Sequence, residues 1–268
     1  MKTDLNTPWI YYTRPFRIFG NLYFVGNSPA STHLIDTGEG LVIIDPGYQE
    51  FLYMVLESIR TLGFDPHDIR YIVNSHGHLD HVGATLALAK LTGAKTFIGA
   101  GDYPVVTGKV TLTDYAARGM HYNFFEPDQI IHDGDHIRLG NLDMECIETP
   151  GHTPGVISFF WNITQDGRTV RAGMMGGAGV KPLSSDYIHN YHLEDADWRG
   201  MFQRSILRCR QEHVDLFVGN HVRQNDTFGK QKRLEEGDTE AFLHPEDWNL
   251  FLDSLQQKLD DIIANDPL

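Results

Sequence analysis

The feature that most constrains this chain is a short polar run that crowds histidine and aspartate side chains together. The run reads Ser75-His76-Gly77-His78-Leu79-Asp80-His81-Val82-Gly83, and it directly follows Ile69–Val73, an apolar stretch typical of a short buried strand. Three imidazoles and one carboxylate within six positions would suffer crowding and desolvation unless a metal ion compensated them. The run therefore predicts a metal site in a loop at the end of a strand.

The spacing inside the run divides its four candidate ligands into two pairs. His76 and His78 are two positions apart, so in extended backbone they project to the same side and can bind one cation together. Asp80 and His81 then turn toward a neighbouring point, where a second cation fits. The run alone thus indicates a site for two ions.

Two later segments each add one histidine at the end of an expected strand. His152 lies in Thr149-Pro150-Gly151-His152-Thr153-Pro154-Gly155, where prolines and glycines predict a rigid turn. His221 follows Leu216-Phe217-Val218-Gly219, an apolar run typical of a strand. Either segment alone is weak evidence, but with the polar run they give six candidate ligands.

These residues resemble the signature of the metallo-β-lactamase superfamily, His-x-His-x-Asp-His followed downstream by a Gly-His-Thr turn. Residues 15–47 also look like the opening strands of that family, with Asp45 where a residue usually supports the metal loop. The resemblance spans nearly the whole chain. It implies an α/β fold, the αβ/βα sandwich of two mixed sheets packed face to face with helices outside, as a single domain over residues 1–268.

Within the superfamily the pattern is most similar to the class B lactamases of subclass 3, which bind two zinc ions without cysteine. The resemblance implies that Asp80 and His221 also take part in catalysis, with Asp80 orienting the attacking water. It assigns His76, His78 and His152 to the first zinc, and Asp80, His81 and His221 to the second.

The strand after the Gly-His-Thr turn distinguishes this chain from other branches of the family. Lactonases, glyoxalases and RNA-processing nucleases commonly add a bridging Asp there, whereas this strand ends Ala172-Gly173-Met174-Met175-Gly176-Gly177. Subclass 3 lactamases usually carry serines in the following loop, which here reads Gly176-Gly177-Ala178-Gly179-Val180-Lys181. The candidates for substrate binding are Lys181, which would attract an anionic group, Ser184 and Ser185 in place of the usual serines, and Tyr187 in a loop beside the cleft.

The implied reaction is hydrolysis, in which a hydroxide held by two zinc ions attacks the carbonyl of a cyclic amide such as a β-lactam. The alternative is a zinc hydrolase of another ester, lactone or amide with little or no β-lactamase activity. Oxygen or nitric oxide reduction at two irons would need Glu where His78 stands. A structural zinc site usually closes around one ion and often uses cysteine, and Cys146 and Cys209 lie far apart.

Charge and composition narrow the partners. The net charge of −14 repels phosphate backbones, so we expect a small-molecule substrate and no nucleic acid, with the oligomeric state left open. No apolar run approaches the roughly 20 residues of a membrane span. The first residues lack the apolar core of a secretion signal, which predicts a cytoplasmic protein, or a periplasmic or secreted one if a leader peptide has been removed.

Periodicity predicts helices over residues 48–62, 85–92, 196–212 and 245–263, and short strands between them. The weak periodicity of residues 101–125 leaves their structure open, with a helix beside the site as one interpretation. Residues 187–192 are expected to form a loop.

Overall fold

Two β-sheets form the centre of the computed structural model, which describes residues 3–268 apart from the side chain of Arg118. The seven strands of the first sheet lie side by side in chain order. They are β1 (Phe16–Phe19), β2 (Leu22–Phe24), β3 (His33–Asp36), β4 (Leu41–Ile44), β5 (Ile69–Val73), β6 (Lys95–Gly99) and β7 (Gln129–Ile131).

The connections explain the change of direction within the first sheet. Short loops join β1 through β4, which pair antiparallel. Longer crossovers that carry helices join β4 through β7, which pair parallel. The parallel half therefore ends its strands at one edge, where polar loops can meet.

The second sheet has five strands in the order β12-β11-β10-β9-β8, antiparallel except for the β11 and β12 pair. These strands are β8 (His136–Leu139), β9 (Leu142–Glu148), β10 (Ile157–Gln165), β11 (Arg168–Met174) and β12 (Leu216–Phe217).

Eight α-helices accompany the sheets in the described part of the chain. The largest buried cluster lies between the sheets, where Phe24 and Ile44 of the first sheet join Phe159 and Trp161 of the second. The helices are α1 (Leu52–Thr61), α2 (Leu79–Val82), α3 (Thr85–Thr92), α4 (Tyr103–Val106), α5 (Ser185–Asn190), α6 (Trp198–Cys209), α7 (Thr227–Glu235) and α8 (Pro245–Asn265).

Helices cover the outer face of each sheet. Val55 and Ile59 of α1 pack with the first sheet, and Phe202 of α6 and Trp248 of α8 pack with the second. Two mixed sheets with helices outside confirm the predicted sandwich. No helix among residues 3–268 is both long and apolar enough to cross a membrane.

The structure differs from the interpretation of the sequence in three places. Residues 101–125 form no long helix, because their apolar residues follow no helical period; α4 and two short 3-10 turns interrupt irregular chain. Residues 187–192 are not all loop, since the Ser184 hydroxyl accepts from the Tyr187 amide and caps α5. Helix α7 was missed because it is polar, and a partly buried ion pair of Lys230 with Asp247, 2.5 Å apart, links it to α8.

The end of β6 packs tightly against the turn that carries His152. A Cβ built on Gly99 would lie 2.1 Å from the Gly155 carbonyl oxygen, and one on Gly101 would lie 2.4 Å from the Pro154 oxygen. Both clashes are with backbone, which cannot swing away. Glycine is therefore required where the first sheet meets the turn that carries His152.

We predict that Gly99→Ala lowers the free energy of unfolding by about 3 kcal/mol, because one backbone segment must move to admit the methyl group. Urea denaturation followed by circular dichroism measures this loss. An unchanged midpoint would show that the two segments separate easily.

Candidate metal centre

Three loops at strand ends bring the six predicted ligands together. The ligand atoms of each group lie within 4.8 Å of one another. The loop after β5 supplies four of them, the turn after β9 supplies His152, and the loop after β12 supplies His221. The first group is His76, His78 and His152, and the second is Asp80, His81 and His221.

A single carboxylate links the two groups. Asp45 is buried, and its Oδ1 accepts from the Ser75 amide at 2.7 Å. Its Oδ2 accepts from the Ser75 hydroxyl at 2.6 Å and from His81 Nδ1 at 2.8 Å. Ser75 Oγ in turn lies 3.0 Å from His76 Nδ1, so Asp45 orients one ligand in each group.

Hydrogen bonds fix which ring nitrogen carries the proton in the second group. His81 Nδ1 donates to Asp45, and His221 Nδ1 donates to the Pro29 carbonyl oxygen at 2.8 Å. In the neutral rings both Nε2 atoms therefore carry no proton and present a lone pair. The two Nε2 atoms face each other at 3.3 Å. Asp80 Oδ2 lies 3.6 Å from each of them. Three acceptors that converge in this way repel one another unless a cation lies between them.

The first group also contains ring nitrogens that carry no proton, on His152 and His76. His152 Nδ1 donates to the Gly179 carbonyl oxygen at 2.6 Å, which leaves its Nε2 as a lone pair 2.9 Å from His78 Nδ1. His76 donates through Nδ1 to Ser75, and its buried Nε2 has no hydrogen-bond partner among the described residues. A buried nitrogen without a partner is costly, and a metal ion would satisfy it. The donor set thus fits a binuclear metal site.

The environment sets the charge of the ligands. Burial and the neighbouring histidines lower the pKa of His76 and of His152 well below the usual range, so both rings are neutral and can bind a cation. Burial alone would raise the pKa of Asp80, but its electrostatic interactions with His81, His221 and His78 outweigh burial and lower the pKa to about 2. Asp80 is therefore a carboxylate at neutral pH.

Sequence reasoning missed Asp102, which joins the two loops of the first group. It is fully buried, and its Oδ2 accepts from the Gly77 amide and from the Thr153 hydroxyl, both at 2.6 Å, while Oδ1 accepts from the Gly155 amide at 2.9 Å. Burial raises the pKa of Asp102 to about 6 against these hydrogen bonds. Its position just after β6 was the available signal, because parallel strand ends meet at one edge.

The glycine-rich stretch that lacks the usual serines lies against His152. A Cβ on Gly177 or on Gly179 would lie 2.9 Å from a carbon of the His152 ring, and one on Gly176 would lie 1.9 Å from the Ile157 oxygen. Close packing against a ligand ring therefore explains why these positions carry no side chain.

The four predicted substrate-binding residues have unlike surroundings. The Ser184 hydroxyl caps α5 and donates to the Lys181 oxygen, and Ser185 bonds to Asp266. Tyr187 is buried, with its hydroxyl bonded to Thr113 and to the Leu112 oxygen. Lys181 is exposed, Ser184 and Ser185 are half-buried, and Tyr187 is buried. The roles of all four in substrate binding stay predictions.

A cleft of about 280 Å³ lies beside the metal loop. Its walls are mostly apolar and come from residues 105–124, the segment whose structure the sequence left open. Two of its tyrosines contact the metal loop directly: Tyr115 Oη accepts from the Leu79 amide at 3.1 Å, and Tyr122 Oη donates to the Gly77 oxygen at 2.8 Å.

Comparison with known families now decides the relationship. The model of the metallo-β-lactamase superfamily matches residues 25–261. The chain belongs to the metallo-β-lactamase superfamily. This confirms the resemblance of the histidine pattern and the expected fold.

Solved structures of the superfamily match over almost their full length. The class B3 di-zinc metallo-β-lactamase LRA-12 from an Alaskan soil metagenome has a TM-score of 0.84 and 26% identity, covering 97% of this chain and 98% of that one. Native FEZ-1 metallo-β-lactamase from Legionella gormanii has a TM-score of 0.84 and 26% identity, covering 94% of this chain and 95% of that one.

Curated relatives carry other activities in their names. An N-acyl homoserine lactonase, AttM of Agrobacterium fabrum, is 30% identical over 51% of this chain and 57% of its own length. A hydroxyacylglutathione hydrolase of Anaeromyxobacter dehalogenans is 29% identical over 55% of this chain and 47% of its own length. The chain spans about half the length of the curated relatives it matches.

We predict that Asp45→Asn weakens binding of both metal ions by roughly 10-fold to 100-fold, because an amide group has one acceptor oxygen and its NH₂ group would replace an acceptor that faces either the Ser75 amide or His81. Competition with a chromogenic chelator measures the affinity. The control is Asp68→Asn, since the Asp68 side chain is 61% exposed on the surface. Equal affinity of the two variants would contradict the role given to Asp45.

Proposed function

We propose that this superfamily member is a dinuclear zinc hydrolase that opens a strained cyclic amide, the reaction of a β-lactamase. The observation that carries the proposal is the pair of facing ligand groups, built from five histidines and Asp80 without cysteine. The similarity to a class B3 di-zinc enzyme supports it.

The residues present indicate zinc as the metal. His76, His78 and His152 would hold the first ion, and Asp80, His81 and His221 the second. Zinc prefers nitrogen and oxygen ligands of this kind, and catalytic zinc sites keep a position open for water or substrate. Bound there, zinc would polarise a carbonyl group and make water acidic enough to attack at neutral pH.

The protein itself supplies orientation and proton handling. Asp80 remains ionised and is partly exposed, so its carboxylate can accept a hydrogen bond from the attacking water and orient it. The Asp45 and Asp102 hydrogen bonds hold the ligand loops still while the substrate changes charge. A rigid, buried frame of this kind needs little reorganisation during the reaction.

The surroundings of the site suit a substrate with an apolar part and an anionic part. The apolar cleft of residues 105–124 would contact the apolar substituent. Lys181 is exposed on the loop after β11 and would attract a carboxylate. A bicyclic lactam with a side chain and a carboxylate has both features.

A second candidate is hydrolysis of a lactone or another ester with little β-lactamase activity. The glycines that line His152 offer no hydroxyl for a substrate carboxylate, which weakens the lactam assignment. The names of the curated relatives, an N-acyl homoserine lactonase and a hydroxyacylglutathione hydrolase, agree with this alternative.

Parallel assays of the zinc-loaded protein separate these candidates. We expect hydrolysis of a chromogenic cephalosporin that a chelator abolishes and zinc restores. Lactone cleavage with no cephalosporin turnover would establish the second candidate instead. Turnover that survives complete metal removal would contradict both.

His78→Ala tests the role of the metal in that turnover. Loss of one ligand should lower zinc content and cephalosporin turnover together. The control is His67→Ala, because the His67 side chain is 62% exposed and pairs only with Asp65 on the surface. Full activity of a zinc-depleted His78→Ala protein would exclude the proposed mechanism.

Several broader predictions stay predictions. They are that residues 1–268 form one domain, that the substrate is a small molecule and no nucleic acid binds, and that the protein is cytoplasmic unless a leader peptide has been removed.

A further inference from the structure

Helix α2 begins without a cap from its own N-cap side chain. Its N-cap residue is His78, and the His78 side chain accepts no hydrogen bond from an amide of the first turn. The first amides of a helix have no partner within the helix, and the N-cap side chain usually supplies one. His78 instead directs Nδ1 toward His152 Nε2, 2.9 Å away in the first ligand group. A ligand that also served as the cap could not reach the metal.

Tyr115 supplies the missing cap from another part of the chain. Its hydroxyl oxygen accepts from the amide of Leu79, the first residue of α2, at 3.1 Å. On the other side of His78, the Tyr122 hydroxyl donates to the Gly77 carbonyl oxygen at 2.8 Å. The two hydroxyls therefore hold the backbone on both sides of one ligand.

The tyrosines are themselves supported. Their rings lie 5.6 Å apart, so they brace each other, and both line the apolar cleft. Helix α5 anchors the same segment, since the Tyr187 hydroxyl bonds to Thr113 Oγ1 at 3.0 Å and Tyr191 Oη accepts from the Asp114 amide at 3.0 Å. This gives Tyr187 a place in a chain of contacts that ends at the metal loop.

We infer that Tyr115 and Tyr122 are positioning residues that hold His78 in its metal-binding orientation by fixing Leu79 and Gly77. This rests on the proposed metal site but assigns a role that the ligand set does not contain. Because the same rings form the wall of the cleft, removing only the hydroxyl separates the two roles.

Tyr115→Phe and Tyr122→Phe keep the ring and remove one hydrogen bond each. Cobalt is the probe, since Co²⁺ in place of zinc absorbs visible light according to its ligands. We expect the dissociation constant of the first Co²⁺ bound to rise roughly tenfold and the absorption spectrum to change. A tenfold loss is the lower limit of the usual effect when a residue that supports a metal ligand is removed. We also expect kcat to fall while KM stays nearly constant, because the cleft wall is intact.

Tyr103→Phe is the matched control. Tyr103 belongs to the same segment, but its hydroxyl bonds to Glu126 at 2.7 Å, away from the metal loop. Its cobalt affinity and spectrum should equal those of the unmodified protein. Thermal unfolding of each metal-free variant is measured alongside, so that a general loss of stability is recognised.

The outcomes are distinct. Weaker cobalt binding in Tyr115→Phe and Tyr122→Phe, but not in Tyr103→Phe, supports the inference. Unchanged cobalt binding and spectrum in both variants overturns it, even if they unfold at a lower temperature. If the unmodified protein binds no cobalt, the proposed metal site fails and this inference fails with it.

Discussion

The Asp45 carboxylate, buried at the end of β4, is the interaction on which the rest of the site depends. One of its oxygens accepts from the Ser75 amide, and the other accepts from the Ser75 hydroxyl and from His81. Asp45 itself adopts a left-handed backbone conformation with φ of +53°, which costs free energy for a residue other than glycine. The hydrogen bonds of the carboxylate offset this cost, and they orient one predicted ligand in each group.

The fold makes this arrangement possible by bringing separate strand ends to one place. Parallel strands β4, β5 and β6 end at the same edge of the first sheet, while β9 and β12 of the second sheet deliver His152 and His221. Asp102 joins the loop of the first sheet to the turn of the second, and glycines at the contact let the backbones meet. The two metal groups therefore lie across the junction of the sheets.

The sequence predicted the ligand groups because their residues lie close together along the chain and have the spacing of metal ligands. Four of the six lie in one run, and the other two lie in short turns after apolar strands, so local patterns sufficed. Asp102, Tyr115 and Tyr122 were not predicted. Each acts through a backbone group more than twenty residues distant in sequence, and only Asp102, by its position just after β6, had a signal in the sequence.

The substrate-binding residues stay predictions, because residue type alone does not show which partners a side chain has in the folded chain. Ser184 and Ser185 were selected by residue type, but helix capping and the contact with Asp266 occupy their hydroxyls. Competing hydrogen-bond partners become visible only when the chain is folded. The cleft shows the same limit, because residues 105–124 have no regular period and their apolar side chains converge only in three dimensions.

Anomalous diffraction at the zinc edge, from crystals of the zinc-loaded protein, tests the central claim most directly. The account predicts two peaks, one within bonding distance of each ligand group. A single peak, or zinc bound elsewhere on the surface, would contradict the binuclear site. The first peak should lie among His76, His78 and His152, and the second among Asp80, His81 and His221.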